Sequence, residues 1–283
     1  QLITKCSETW VSNYSWRPSK LFEGADMLLA IIIQSPSETS FTYSTIYHKW
    51  YNEYRPCLFK CTRYTDVSNL KIKGSIPKIA SDFVSKILVA MNEKADSHFL
   101  SDSFLGIGGF KLFYFRAVQY WFKVLDREPV FEEDGVHKVT GEMKPVVFDS
   151  EMDCYATISL LSSNLFFLNY IVWSSCQVVN SRDFNFPIDF PSLSVEEKKH
   201  LAKLGKELQN DYQSHSHIIE RSYSAKGRIF TMQKQHFFIK YSKPIIDEID
   251  NVLAKHYGFT EEELDFIINY DIKYRMGDEL GEE

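Results

Sequence analysis

Residues 17–34 read RPSKLFEGADMLLAIIIQ, and they join two unlike halves. The first half is polar and turn-prone, with one aromatic, Phe22, directly before Glu23-Gly24. The second is an apolar run too short to cross a bilayer, which takes about 20 residues, and it reads as a buried strand. A lone phenylalanine at the lip of such a strand has two meanings. It is either a core residue folded under the turn or an aromatic face presented to a partner.

Outward from this stretch, residues 1–60 alternate short apolar strands with turns. AIIIQ at 30–34 and the run from Phe41 to Phe59 are divided by a connection around Pro36. In IPKIASDFVSKILVAMNEK (76–94), Ile79, Phe83, Ile87 and Leu88 recur at helical spacing, and Pro77 suits the start of that helix. FLGIGGFKLFYFRAVQYWFKVL (104–125) is a Gly-rich turn entering an aromatic strand pattern, followed by an acidic loop over 131–144. Residues 152–176 read as one largely buried helix. Pro187 and Pro191 then break the chain, and residues 192–223 read as a long amphipathic helix opened by a Ser194/Glu197 capping box. The stretch 245–277 reads as two helices separated by Gly258, the second capped by Thr260 with Glu261, Glu262 and Glu263 in its first turn. The order predicts a mixed α/β (α+β) chain, with strands first and helices at the end.

The chain has 283 residues and a formal charge of −6, unevenly spread. Residues 241–283 hold 4 Lys and Arg against 12 Asp and Glu, and removing that tail leaves +2 for residues 1–240. Residues 61–130 carry +3 and residues 191–240 carry +4, so a local basic surface beside an acidic tail is allowed. The five cysteines are scattered without metal-ligand spacing and read as reduced thiols of a cytoplasmic protein. The chain has no run of eighteen apolar residues, and its Gln1-Leu2-Ile3-Thr4 opening reads as the middle of a longer polypeptide.

Catalytic and cofactor motifs are sparse. GIGG at 106–109 lacks the full G-x-G-x-x-G pattern and reads as a tight turn; no P-loop is present. The acids between Pro187 and Lys198 imitate a nuclease pattern, but Glu196 and Glu197 belong to a helix's first turn. His215 and His217 lack a third metal ligand, and no nucleophile motif occurs.

Four segments together resemble the adenine-specific DNA methyltransferases of restriction–modification systems that carry a TaqI-like C-terminal specificity domain. They are residues 15–34; 74–88 leading to 106–124; 158–188; and 246–277. The family's Pro-Pro-Tyr type catalytic motif and its Gly-rich S-adenosylmethionine loop are absent from the sequence. The resemblance therefore implies the downstream part of such an enzyme, with the cofactor and a catalytic domain of the same polypeptide upstream. Residues 1–62 would be the last strands of a Rossmann-like methyltransferase sheet, 63–240 the target-recognition domain and 241–283 a helical tail.

The family's chemistry gives Phe22 a role. Adenine's exocyclic amine is out of reach while the base is stacked, so the base is flipped out and held against an aromatic face. Phe22 is the matching position, with Arg17, Ser19 and Lys20 near the phosphates or the flipped nucleotide. For duplex DNA recognition the resemblance offers Lys111, Arg116 and Lys123 in the aromatic strand region and Asn180, Ser181 and Arg182 in the basic turn. No metal and no membrane are implied, and a restriction nuclease is a possible companion. Two rival readings stand beside this one: a free-standing DNA-specificity subunit partnering a separate methylase, and a protein-interaction module using the acidic tail.

Overall fold

SETWVSNY has its alternate side chains buried and forms β1, Ser7–Tyr14, the centre of a mixed sheet. The computed structural model describes residues 7–70, 75–104, 106–118, 120–225 and 227–276. Cys6, Leu105 of the Gly-rich turn and residues 277–283 of the acidic tail lie outside them. The chain divides into two compact units, one of Gln1–Glu93 with Asn169–Gln177 and one of Lys94–Leu168 with Val178–Glu283.

In the first unit the strand order is β2-β1-β3-β4, with β2 at Leu29–Pro36, β3 at Phe41–His48 and β4 at Thr65–Asp66. β1 runs antiparallel to β2 and parallel to β3. The apolar run expected to be a buried strand is instead an edge strand. β1 covers only one side of it, so Ile32 and Ile33 are 42% and 60% exposed. Leu29 and Ile31 alone turn inward, onto a cluster of Leu21, Tyr14, Trp50 and Leu58. The central strands are rich in Ser and Thr, and several of their hydroxyls find partners, as Ser12 does with the Tyr64 hydroxyl at 2.5 Å, whereas the buried Thr42 hydroxyl has none. α1, Asp82–Ala95, starts later than Pro77 suggests.

The second unit holds two further sheets. One has the order β6-β5-β9, with β5 at Phe110–Phe115, β6 at Val124–Leu125 and β9 at Met143–Phe148. Gly108 enters β5 at φ +130°, and a Cβ there would lie 1.9 Å from the Phe148 carbonyl oxygen. GIGG is thus a close-packed turn, as its missing third glycine suggests. The acidic loop contains a short hairpin, β7 at Phe131–Glu133 and β8 at Val136–His137.

The helix expected over 152–176 is two helices, α2 at Glu151–Ser162 and α3 at Asn164–Trp173. Ser163 has extended ψ, and its hydroxyl both donates to the Leu160 carbonyl and accepts from the Phe166 N–H, which ends one helix and begins the next. Residues 156–172 are buried throughout, which accounts for their apolar composition. No single helix among the described residues is long and apolar enough to cross a membrane.

α4, Val195–Ser214, opens with the expected Ser194/Glu197 capping box but stops at His215. The β-branched Ile218-Ile219 pair then begins β10, Ser216–Ala225, which folds back on β11, Arg228–Phe237. This hairpin makes a second sheet of order β10-β11-β7-β8. α5 at Lys243–Tyr257, α6 at Glu261–Ile268 and α7 at Ile272–Met276 complete the unit, with Gly258 and the Thr260 cap where the sequence places them.

These helices meet at a buried polar junction. Asp250 on α5 accepts the backbone N–H groups of Asn164 and Leu165 at 3.0 and 2.9 Å, and the Asn164 side-chain amide at 2.7 Å. It caps the N-terminus of α3 from another helix. Burial pushes its carboxyl up to about 7 against the pull of these donors. Asp250→Ala leaves the buried N–H groups unpaired and is expected to destabilise the fold by about 2–4 kcal/mol in urea unfolding. Asp250→Asn, which keeps one acceptor, should cost less than half of that.

Candidate nucleic-acid interface

The loop between β1 and β2 is built to hold one ring in the open. Leu21 is 6% exposed and sits in the Tyr14–Trp50–Leu58 cluster, a burial worth roughly 1.5–3 kcal/mol. Arg55, in the 3-10 turn Asn52–Cys57, donates to the carbonyls of Lys20 at 2.5 Å and Leu21 at 3.0 Å. A turn follows in which Ala25 N–H donates to the Phe22 carbonyl, with Gly24 at φ +79° in its third position. Between these fixtures Phe22 is 58% exposed. It is not a core residue under the turn.

Its expected companions are differently placed. The Arg17 guanidinium lies over the Trp16 ring at 4.2 Å, and Ser15 donates to the Arg17 carbonyl. The Lys20 ammonium pairs with Asp26 at 2.5 Å across the same loop. Ser19 is half-buried between them. Arg17 remains exposed, while Lys20 shares its charge with a carboxylate.

Near the loop's roots lies a cavity of about 190 Å³, lined in part by Asn13, Tyr14, Leu29, Tyr47, Lys78 and Ser174. Lys78 is buried, and its ammonium donates to the carbonyls of Val172 and Ser174 at 3.1 and 2.6 Å, capping the C-terminus of α3. The cavity is below the roughly 300 Å³ at which pockets for small molecules usually begin. Its lining has no carboxylate for ribose hydroxyls, so these residues do not fit S-adenosylmethionine. His48 stacks on Tyr14 at 5.4 Å, and burial brings its imidazole down to about 4.

In the second unit, two of the expected recognition groups come together. The Val179 N–H donates to the Arg116 carbonyl at 2.8 Å, setting the end of β5 beside the 180–182 turn. Tyr114 meets Phe184 edge-on at 4.8 Å behind them. The Asp183 carboxylate accepts the Asn180 N–H at 2.7 Å, and the Asn180 amide donates to the Val178 carbonyl at 2.8 Å. Asn180 therefore shapes the turn, whereas Ser181 and Arg182 are exposed on it. Lys111 is exposed at the opposite end of β5, five residues from Arg116.

Lys123 departs most from a phosphate-seeking cation. Its ammonium sits 3.7 Å over the Phe115 ring and 5.6 Å from Phe237, and loss of hydration brings it down to about 8. Sequence reading misses Arg55 and Lys78. Each acts through a carbonyl distant along the chain, a pairing that no local spacing announces. Among the described residues no group of three His, Cys, Asp or Glu could hold a metal ion.

Comparison with protein-family models, with curated proteins and with solved structures finds no match in any of the three.

With Phe22→Trp as a reporter, the anisotropy it adds to that of the five native tryptophans is expected to fall when Arg55→Ala removes the two loop carbonyls' partner. Unchanged anisotropy would show that Leu21 alone holds the loop. His48 gives a pH signature. Between pH 6.5 and 4 the unfolded chain binds a proton that the folded chain refuses, so stability should fall with pH across that window, by up to about 3 kcal/mol. His48→Gln should flatten that part of the thermal-unfolding profile.

Proposed function

We propose that this chain is the target-recognition and base-holding part of a site-specific adenine DNA methyltransferase of a restriction–modification system. The observation that carries the reading is the Phe22 ring, exposed on a loop fixed by Leu21 and Arg55. An aromatic side chain held out this way loses little freedom when a flat partner stacks on it, and base–aromatic stacking is worth about 1–3 kcal/mol per base. Adenine's amine becomes available for methylation only after the base leaves the helix, and an extruded base needs such a face.

In this reading the first sheet continues a Rossmann-like methyltransferase sheet, and the catalytic domain lies upstream in the same polypeptide. S-adenosylmethionine supplies the methyl group there, bound outside this chain. Arg116, Ser181 and Arg182 face duplex DNA from the second unit. Lys111 and Arg17 are placed for phosphate contacts. The chain acts on DNA in the cytoplasm and requires no metal of its own.

The test uses the full reading frame with labelled cofactor and duplex DNA. Phe22→Ala is expected to lower methyl transfer about 5- to 150-fold, as loss of about 1–3 kcal/mol of stacking requires, while Phe22→Trp retains it. The 283-residue chain by itself should transfer none. Methyl transfer by that chain alone, or an unimpaired Phe22→Ala enzyme, would sink the proposal.

A further inference from the structure

Most of β10 lies within a stretch that reads as helix, and none of the expected recognition residues lies on the β10–β11 hairpin. Its ten cross-strand pairs run from Ser216–Phe237 to Ala225–Arg228, a ribbon roughly 30 Å long. β7 pairs with β11 only over Met232–Lys234, so towards Ala225 the ribbon is two-stranded, and β10 is an edge throughout. Every residue of β10 is exposed or half-exposed.

Strand alternation sorts the ribbon into two unlike faces. One carries the pairs His217–His236, Ile219–Lys234, Arg221–Met232 and Tyr223–Phe230. The other carries Ile218–Gln235, Glu220–Gln233, Ser222–Thr231 and Ser224–Ile229, with no cation. The acid adjoining the first face, Glu133 opposite Met232, is occupied: Arg228 donates to Glu133 at 2.9 Å and to Asp134 at 2.5 Å. Arg221 and Lys234 make no ion pair among the described residues. The two cations and Lys123 together lower the proton affinity of His236, after the contribution of burial. The face is therefore electropositive although the chain as a whole is acidic.

We propose that the Arg221–Lys234 face of this hairpin is a docking surface for the phosphate backbone of duplex DNA. A two-stranded β-ribbon has the cross-section of the major groove, about 12 Å wide, and its cations reach the phosphates that border the groove. The rings favour a duplex over a single strand as the occupant. Tyr223 and Phe230 stack on each other at 5.9 Å, and Lys234 lies over Tyr223 at 5.8 Å, so neither ring is a free platform for unpaired bases. The proposal rests on the DNA-binding reading above, deepens it with a second contact surface, and does not involve Phe22.

The test is fluorescence-anisotropy binding of a 30-bp duplex by the 283-residue chain over a range of salt concentrations. Each phosphate contact contributes about 0.9 to the slope of log affinity against log salt. Arg221→Gln with Lys234→Gln should reduce that slope by roughly 2 and weaken binding about tenfold or more at moderate salt, equally for unrelated sequences. Ile229→Ser, on the opposite face, should leave the slope unchanged and so controls for folding. If the wild-type chain binds duplex and the double variant binds with the same slope, the hairpin proposal fails while the DNA reading stands. If the wild-type chain binds no duplex at low salt, the DNA reading itself fails. Preference for a single strand that the double variant abolishes would overturn the duplex as occupant.

Discussion

Asp250 reaches from α5 to the first N–H groups of α3, 85 and 86 residues away in sequence. A helix as apolar as NLFFLNYIVW has to be buried, and a buried N-terminus has no water to satisfy its amides. A carboxylate from another element is one of few solutions, since it accepts several N–H bonds and complements the positive end of the helix dipole. Arg275 strengthens the same junction from α7. Its guanidinium lies 3.8 Å over Trp121 and 4.5 Å over Phe167, and its Nε–H donates to the Tyr120 carbonyl at 2.9 Å. Burial lowers it to about 10, which leaves it charged at neutral pH. The aromatic core of Phe122, Phe166, Phe184 and Phe186 is ordered around this junction.

The first unit uses the same device with opposite sign. Lys78 gathers the carbonyls of Val172 and Ser174, and Arg55 gathers those of Lys20 and Leu21. In each case a cation gathers two carbonyl groups, and Val172 also accepts the Lys78 backbone N–H at 3.0 Å. The second instance has a consequence for Phe22. The loop's rigidity comes from its backbone and from Leu21, so the aromatic ring itself is free of structural duty. Phe22 is one of several large apolar side chains exposed on this chain, and what sets it apart is the fixed loop that carries it.

Charge is partitioned in the second unit in a way that the net value conceals. The acidic residues concentrate in α5 and α6, where Glu261, Glu262 and Glu263 serve a helix N-terminus. The hairpin collects cations and aromatic rings on one face and leaves the other without a cation. Strand alternation performs this sorting without any clustering in the linear sequence.

Much was legible where the signal was local. The Ser194/Glu197 capping box, the Thr260 cap, the Gly258 helix stop, the GIGG turn and the mixed α/β composition all rest on neighbours within a few residues. Local spacing failed where two solutions shared a pattern. An apolar run reads alike as a central or an edge strand, so AIIIQ looked buried. A continuous apolar segment hid the break at Ser163. The polar, ordinary composition after Ser214 gave no warning that a helix would yield to a hairpin. By itself, then, the sequence determined the starts of α4 and α6, the Gly258 stop of α5 and that Phe22 sits in a turn. Tertiary structure decided that Phe22 faces outward, that Lys123 is partly desolvated and that Arg221 and Lys234 share a face. Those outcomes depend on groups paired across tens of residues, and only the folded chain brings such groups within hydrogen-bonding or Coulombic reach.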